Sequence, residues 1–220
     1  MSKRAVLSIL AVMLAAGLGL WASQRMFGPA GPATAQALPA TRTATVLPQP
    51  RAVPPFELQQ SDGTPLTADE LKGHWTVVFL GFTHCPDICP TTLAQLSAAQ
   101  KQWASIPEAR RPRVLFVSAD PERDSPELVG QYAHAFHPDT LAATAPLDRL
   151  EPFARSLSLV FMKVPGSSGE PMDYSIDHSA ALVLLDPQAR FGGVVQPPLD
   201  VQAIAADLAL LTEASAKAAP

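Results

Sequence analysis

The two cysteines of the chain lie four positions apart and each stands directly before a proline, in a Cys-Pro-Asp-Ile-Cys-Pro run at residues 85–90. A residue before proline is pushed out of the helical region, so the segment from Cys85 to Cys89 is predicted to be a loop. The apolar run at 76–80 is typical of a buried strand, and the helix formers after Pro90 indicate a helix that begins at this proline. Cys89 is therefore expected at or near the helix N-cap, where the helix dipole favours a thiolate.

This spacing narrows the chemistry of the cysteine pair. A disulfide that closes so short a loop stabilises a fold by only about 2 kcal/mol, so a purely structural bridge is disfavoured. The spacing also differs from the Cys-x2-Cys of thioredoxin-type oxidoreductases. The extra residue increases the distance between the sulfurs, which suits the binding of an ion, although a disulfide can still close. Cys85 and Cys89 are thus predicted both as a redox-active pair and as metal ligands.

The order of the other elements predicts a thioredoxin-like α/β sandwich. The predicted strands are 76–80, 113–118, 160–164, 179–185 and 191–195, after a hairpin at 56–66, and the predicted helices are 90–105, 125–136, 147–158 and 200–211. Strands that alternate with helices, followed by a hairpin and a terminal helix, are typical of that fold. In such a sheet the reactive loop lies at the carboxyl end of a central strand, where the next helix begins.

A third residue of the site is predicted at His178, just before the strand at 179–185. In a thioredoxin-like fold this position faces the cysteine loop. Two thiolates and an imidazole form a soft, low-coordinate set that suits Cu(I) and accepts Cu(II) with a further ligand. Zinc would need a fourth ligand in a closed structural site. We therefore predict Cys85, Cys89 and His178 as the ligands of one copper ion.

Two further side chains are candidates for the same site. His84 adjoins Cys85 and is the alternative ligand, although adjacent residues of an extended segment point to opposite faces. Asp120 follows the predicted strand at 113–118 and could reach the site as a hydrogen-bond acceptor. Aspartate before proline is equally a turn former, so the sequence leaves the role of Asp120 open.

The N-terminus predicts attachment to a membrane. Residues 1–4 contain two basic side chains, and residues 5–23 then run without a charge over a length at the lower limit for a transmembrane anchor. The basic start is held in the cytoplasm, so a bacterial inner-membrane protein with a periplasmic domain is expected. The Pro- and Ala-rich residues 24–54 are predicted to be a flexible tether, and residues 55–215 the folded domain. A cleaved signal peptide is the alternative, because residues 33–35 have the small-x-small form of a cleavage site.

Charge and cysteine content exclude two classes of protein. The net charge is −4 and no basic patch or arginine-rich run occurs, so nucleic acid is not expected as a partner. Two cysteines are too few for a disulfide scaffold.

Three separated motifs resemble a known family. They are Gly-Phe-Thr-His-Cys-Pro-Asp-Ile-Cys-Pro-Thr-Thr-Leu at 81–93, Val-Ser-Ala-Asp-Pro-Glu-Arg-Asp-Ser-Pro at 117–126 and Tyr-Ser-Ile-Asp-His-Ser at 174–179. In this order they resemble the Sco/SenC copper chaperones, over residues 56–211. The chain departs from the family pattern at Ala119, where a larger aliphatic residue is usual, and in a slightly longer loop at 166–170.

The resemblance implies a membrane-tethered, thioredoxin-like domain that binds copper through Cys85, Cys89 and His178. As activity it implies help in building the binuclear copper centre of cytochrome c oxidase. The implied partners are the copper-accepting subunit of that enzyme and other copper chaperones.

A second class of function remains open. A thiol-disulfide oxidoreductase that reduces acceptor cysteines would use the same cysteine pair, but it has little need of His178. A peroxiredoxin-like peroxidase is third, since it requires an arginine around a single cysteine and the intervening Pro-Asp-Ile offers no cation.

Overall fold

The computed structural model describes residues 3–27 and 39–218, in two compact units that divide after Leu38. The first unit contains helix α1 (Lys3–Phe27), which includes the predicted anchor at 5–23. Among the described residues, no helix combines the length and the hydropathy that crossing a bilayer requires. The predicted transmembrane segment is therefore not confirmed.

The second unit is built on an eight-stranded sheet and a separate two-stranded sheet. Its strands are β1 (Ala44–Arg51), β2 (Leu58–Gln60), β3 (Pro65–Leu66), β4 (Thr76–Gly81), β5 (Arg113–Ser118), β6 (Leu141–Thr144), β7 (Phe161–Pro165), β8 (Tyr174–His178), β9 (Leu182–Leu185) and β10 (Phe191–Val195). Its helices are α2 (Ala68–Leu71), α3 (Ile88–Trp103), α4 (Pro126–His134), α5 (Leu147–Ser156) and α6 (Val201–Ala218), with a 3-10 turn at Glu108–Arg110.

The strand order of the larger sheet is β1-β10-β9-β4-β5-β6-β2-β3. Strand β4 pairs in parallel with β5, and β5 with β6, while β9, β10 and β1 follow in antiparallel pairing. Strand β4 is buried along its whole length, which explains its unbroken apolar sequence. Helices α3 and α6 pack together, and the Trp103 indole N–H donates to the Ala205 carbonyl at 3.0 Å. This architecture agrees with the predicted thioredoxin-like α/β sandwich.

Two of the predicted helices begin next to side chains that cap them. The Ser125 hydroxyl accepts a hydrogen bond from the Leu128 N–H at 3.3 Å, and Pro126 occupies the first position of α4. The carboxylate of Asp200 accepts from the N–H groups of Gln202 and Ala203, at 2.9 and 3.1 Å. Both caps satisfy backbone donors that the first helical turn leaves unpaired.

The predicted tether at 24–54 is too long, because β1 lies inside it. Residues 44–51 pair with β10 at one edge of the described sheet. Their prolines suggested an extended linker, but an edge strand tolerates proline because some of its N–H groups face solvent rather than the ladder. Residues 28–38 lie outside the described part of the chain.

A buried carboxylate fixes the start of this strand. Asp207 on α6 is 2% exposed and accepts hydrogen bonds from three successive backbone N–H groups, those of Arg42, Thr43 and Ala44, at 2.8, 2.8 and 2.9 Å. The folded unit therefore begins before residue 55, and the predicted domain start is corrected to the region of these contacts.

The predicted strand at 179–185 is also corrected. Strand β9 covers only its second half, whereas residues 174–178 form β8, which pairs with β7 as a hairpin apart from the main sheet. Strand β6 was missed, because Leu-Ala-Ala-Thr lacks the aromatic and β-branched content that marks a strand. The hairpin matters for function, since its last residue is His178.

Candidate metal centre

The two cysteines occupy the loop and the first helical turn that follow β4. Helix α3 begins at Ile88, so Cys89 is its second residue and lies inside the helix rather than in the predicted loop. Pro90 then occupies the third position, where its missing N–H removes no intrahelical hydrogen bond. Cys89 is fully buried and Cys85 half-buried, and both are free thiols.

The structure brings all three predicted ligands together. The Sγ atoms of Cys85 and Cys89 and a ring nitrogen of His178 all lie within 4.8 Å of one another. Cys89 Sγ is 3.5 Å from His178 Nε2, across 89 positions of sequence. The Cys89 backbone N–H donates to Cys85 Sγ at 3.4 Å. These contacts place two soft sulfur donors and one imidazole nitrogen in one cluster.

The imidazole of His178 is oriented for ligation. Its Nδ1 lies 3.1 Å from the Ser179 carbonyl oxygen. A carbonyl can only accept, so this bond assigns the proton to Nδ1 and leaves the Nε2 lone pair facing Cys89. Phe79 and Phe82 pack edge-on against the ring. Burial lowers the pKa of His178, which favours the neutral form that binds metal.

Burial acts on Cys89 against the expectation from the helix dipole. The sequence predicts a stabilised thiolate at this helix start, but removal of the sulfur from water raises the pKa of Cys89 well above its usual range. A bound cation would reverse this balance, because a coordinating thiol is deprotonated outright. Cys89 is thus suited to holding a metal more than to being a free thiolate.

Gly81 is a site residue that sequence reasoning missed. A Cβ built on it would lie 2.8 Å from Cys89 Sγ and 2.9 Å from a ring carbon of Phe116. The absence of a side chain lets the first turn of α3 approach the end of β4 closely. A glycine that ends a buried strand directly before a cysteine loop was the available signal.

Asp124 is a second missed residue, and it holds the cysteine loop. Its buried carboxylate accepts from the Thr83 N–H at 2.8 Å, from the Thr83 hydroxyl at 2.5 Å and from the Ser118 hydroxyl at 2.5 Å. Thr83 stands two residues before Cys85, so these bonds tie the loop to the end of β5. Sequence reasoning considered Asp120 in this region and passed over Asp124.

Neither alternative candidate joins the Cys-Cys-His cluster. Asp120 is buried, pairs with the Arg123 guanidinium at 2.5 Å and accepts from the Tyr174 hydroxyl at 2.7 Å. His84 lies near Asp124 and the Thr83 hydroxyl. His84, Asp120 and Asp124 do approach within 4.8 Å of one another. Their carboxylates are already engaged by Thr83, Ser118, Arg123 and Tyr174, so this group does not offer a free cation site.

The fold and this cluster define a class, namely thioredoxin-like proteins with two cysteines and one histidine arranged as metal donors. A family model described as SCO1/SenC matches residues 45–213. The chain belongs to the SCO1/SenC family, which confirms the resemblance seen in the three sequence motifs.

Similar proteins agree with this assignment. A Stutzerimonas stutzeri protein named as copper-binding is 32% identical over 161 residues, which are 72% of this chain and 76% of that protein. The mitochondrial SCO1 homolog 1 of Arabidopsis thaliana is 39% identical over 62% of this chain, but the match spans only 40% of that protein.

Solved structures confirm the thioredoxin-like α/β fold. Arabidopsis thaliana ScoI with copper bound is 33% identical, with a TM-score of 0.64, over 74% of this chain and 97% of that chain. Bradyrhizobium japonicum ScoI with copper bound is 32% identical, with a TM-score of 0.64, over 72% of this chain and 98% of that chain.

Proposed function

We propose that this protein is a copper metallochaperone that binds one copper ion through Cys85, Cys89 and His178 and passes it to an acceptor protein. The observation that carries the proposal is the meeting of two sulfurs and one imidazole nitrogen within 4.8 Å. Soft thiolates select Cu(I), and imidazole suits both oxidation states of copper. Family membership and the copper-bound relatives support the choice of metal.

The surroundings of the cluster favour transfer over permanent storage. Three protein ligands leave copper open to a further donor, so ligands of an acceptor can displace them one at a time. Cys85 and His178 are only half-buried. A groove of about 330 Å³ beside His178 is lined by Val160, Phe161, Met162, Asp177 and Ser179. An acceptor loop can therefore reach His178 from this side.

An anaerobic Cu(I) titration against a competing chelator tests the metal site. We expect one tight equivalent for the full chain and a severe loss of affinity in His178→Ala. Unchanged affinity in that variant would contradict the three-ligand site. A wild-type protein without a tight equivalent would contradict the copper assignment itself.

The acceptor belongs to the same proposal. By analogy with its family, the chain is assigned to assembly of the binuclear copper centre of cytochrome c oxidase, with the copper-accepting subunit as partner. Deletion of the gene should lower oxidase activity, and added copper or the wild-type gene should restore it. Normal activity without the protein would assign its copper to another acceptor.

The proposed location is the bacterial inner membrane, with the copper-binding domain in the periplasm. The basic start and the uncharged residues 5–23 support it. Fractionation of cells that express the full chain should recover it with the inner membrane. Protease added to cells whose outer membrane has been opened should digest the domain. Recovery as a free periplasmic protein would favour the cleaved signal peptide instead.

A second candidate function is thiol-disulfide exchange with acceptor cysteines. The closeness of the two free sulfurs favours it, and the half-buried Cys85 accepts a hydrogen bond from the Cys89 N–H, as an attacking thiolate would. His178→Ala distinguishes the two functions. An oxidoreductase should keep its exchange rate with a model disulfide in this variant, whereas copper affinity should fall severely.

A further inference from the structure

The loop between β5 and α4, residues 119–125, contacts both halves of the candidate metal centre, and we call it the bracket loop. Two of its side chains, Asp120 and Asp124, are among the most buried acids of the described residues, at 2% and 0% exposure. They share one turn, since the Asp124 N–H donates to the Asp120 carbonyl at 2.9 Å. One carboxylate faces the hairpin that carries His178, and the other faces the cysteine loop.

On the histidine side, the bracket loop holds the first residue of β8. The Tyr174 hydroxyl donates to Asp120 Oδ1 at 2.7 Å, and Arg123 Nη1 donates to the Tyr174 carbonyl at 2.9 Å. The Arg123 guanidinium carbon also lies 3.6 Å from the centre of the Tyr174 ring, and Lys163 Nζ lies 3.8 Å from it. Such cation–π contacts strengthen when they are shielded from water. Tyr174 is therefore fixed by its hydroxyl, its carbonyl and its ring.

Strand geometry connects Tyr174 to His178. Along β8, Tyr174 and Ile176 are buried and His178 half-buried, while Ser175 and Asp177 are exposed, so the first three share the inward face. A strand advances about 3.4 Å per residue, and all five residues of β8 are paired with β7. A displacement of Tyr174 therefore displaces the imidazole at the other end of the strand.

On the cysteine side, the bracket loop holds the segment before Cys85. Asp124 accepts from both the N–H and the hydroxyl of Thr83, and it also accepts from Ser118 at the end of β5. The buried carboxylate thus fixes the position from which the chain enters the cysteine turn.

We propose that the bracket loop sets the distance between the His178 imidazole and the cysteine sulfurs. Asp120 acts through Tyr174 and Asp124 acts through Thr83, and all four are positioning residues that do not touch the metal. The inference rests on the proposed copper function, because the geometry it maintains is that of the three copper ligands.

A double-mutant cycle in the full chain tests the histidine side. Tyr174→Phe removes only the hydroxyl that bonds to Asp120. Loss of a direct hydrogen-bond partner of a metal ligand costs about 10–100-fold in affinity, and because Tyr174 acts on His178 indirectly, we expect a smaller but measurable loss of Cu(I) affinity, of about 3–10-fold. In a His178→Ala background the same change should have no effect, because Tyr174 acts only through His178. The Cu(II) form should show a changed EPR signal from the histidine nitrogen in Tyr174→Phe.

Two further variants complete the design. Ser175→Ala removes a hydroxyl from the exposed face of the same strand and should leave copper affinity unchanged. Thr83→Val removes the hydroxyl that bonds to Asp124 and should weaken Cu(I) binding in both the wild-type and the His178→Ala backgrounds, because it acts through the cysteines. If Tyr174→Phe lowers the yield of folded protein, Asp120→Asn weakens the same bond from its other partner.

The outcomes separate the two proposals. Wild-type copper affinity in Tyr174→Phe would overturn the positioning role of the bracket loop. An equal loss of affinity with and without His178 would do the same. Neither result would contradict the proposed copper function. Absence of tight copper binding in the wild type and in Ser175→Ala would overturn the proposed function itself.

Discussion

Cys89 and His178 face each other across 3.5 Å, but they belong to regions that are packed in opposite ways. Cys89 is part of the hydrophobic core and rests against the end of the fully buried β4. His178 ends a hairpin whose other strand, β7, has no fully buried residue, with Met162 at 63% exposure.

The difference teaches how the geometry of each half is maintained. The cysteine half is positioned by core packing, so a change there should alter copper affinity and the free energy of unfolding together. The histidine half is positioned by the buried face of β8, by Phe79 and Phe82 against the imidazole, and by polar and cation–π contacts at Tyr174. Removal of the half-buried His178 ring should therefore lower copper affinity with a smaller loss of unfolding free energy than a change at the fully buried Cys89.

Cys89→Ser tests the comparison with the largest expected effect. The tight copper equivalent should be lost, and the buried hydroxyl should also lower the free energy of unfolding by about 1–3 kcal/mol. Urea unfolding of the metal-free protein and a Cu(I) titration measure the two effects. Cys85→Ser is the matched control. It also removes a proposed copper ligand, but at a half-buried position, so copper binding should be lost with a smaller loss of stability. Equal stability losses in both variants would contradict the contrast in packing.

Gly81→Ala should disturb the cysteine half without removing a ligand. The new methyl would meet Cys89 Sγ at 2.8 Å, and overpacking of this kind costs about 1–3 kcal/mol. Copper affinity should fall as well, because the sulfur has to move. Gly19→Ala adds the same methyl into open space on α1 and should change neither quantity. Wild-type copper affinity in Gly81→Ala would show that the sulfur position tolerates a shift.

Asp207→Asn should lower stability without touching copper. The charged carboxylate accepts three backbone N–H groups at the start of β1, and hydrogen bonds to a charged group contribute about 1.5–3 kcal/mol. For a domain of this size the melting temperature should fall by about 5 °C. Calorimetry measures this shift, and a parallel titration should give wild-type copper affinity. A weakened copper site would mean that β1 and the metal centre are coupled.

His84→Ala should have the smallest effect. The side chain is 51% exposed, lies near Thr83 and Asp124 and is outside the Cys-Cys-His cluster. The free energy of unfolding should change by about 0.5 kcal/mol or less, as for other exposed positions, and copper affinity should stay at the wild-type value. A loss as severe as that of His178→Ala would reassign the third ligand.

Much of the site could be predicted from local sequence. Cys85 and Cys89 stand between a strand-like run and a helix start. Proline keeps the residue before it out of the helical region and favours the first turn of a helix, and both effects are local. The fold class followed from the order of the elements. The end of the tether and strand β6 could not be predicted, because the pairing of β1 with β10 and the burial of β6 depend on partners far away in the chain.

By itself, the sequence determined which side chains can act as donors, the strand–loop–helix setting of the cysteines and the family. Only the tertiary structure decided that His178 reaches Cys89 and that Asp124 and Gly81 shape the site. It also decided that the pKa of the Cys89 thiol is raised by burial rather than lowered by the helix dipole. The physical reason is that donor identity and local conformation are properties of short segments. Distance, desolvation and close approach arise only when segments far apart in sequence are packed against each other.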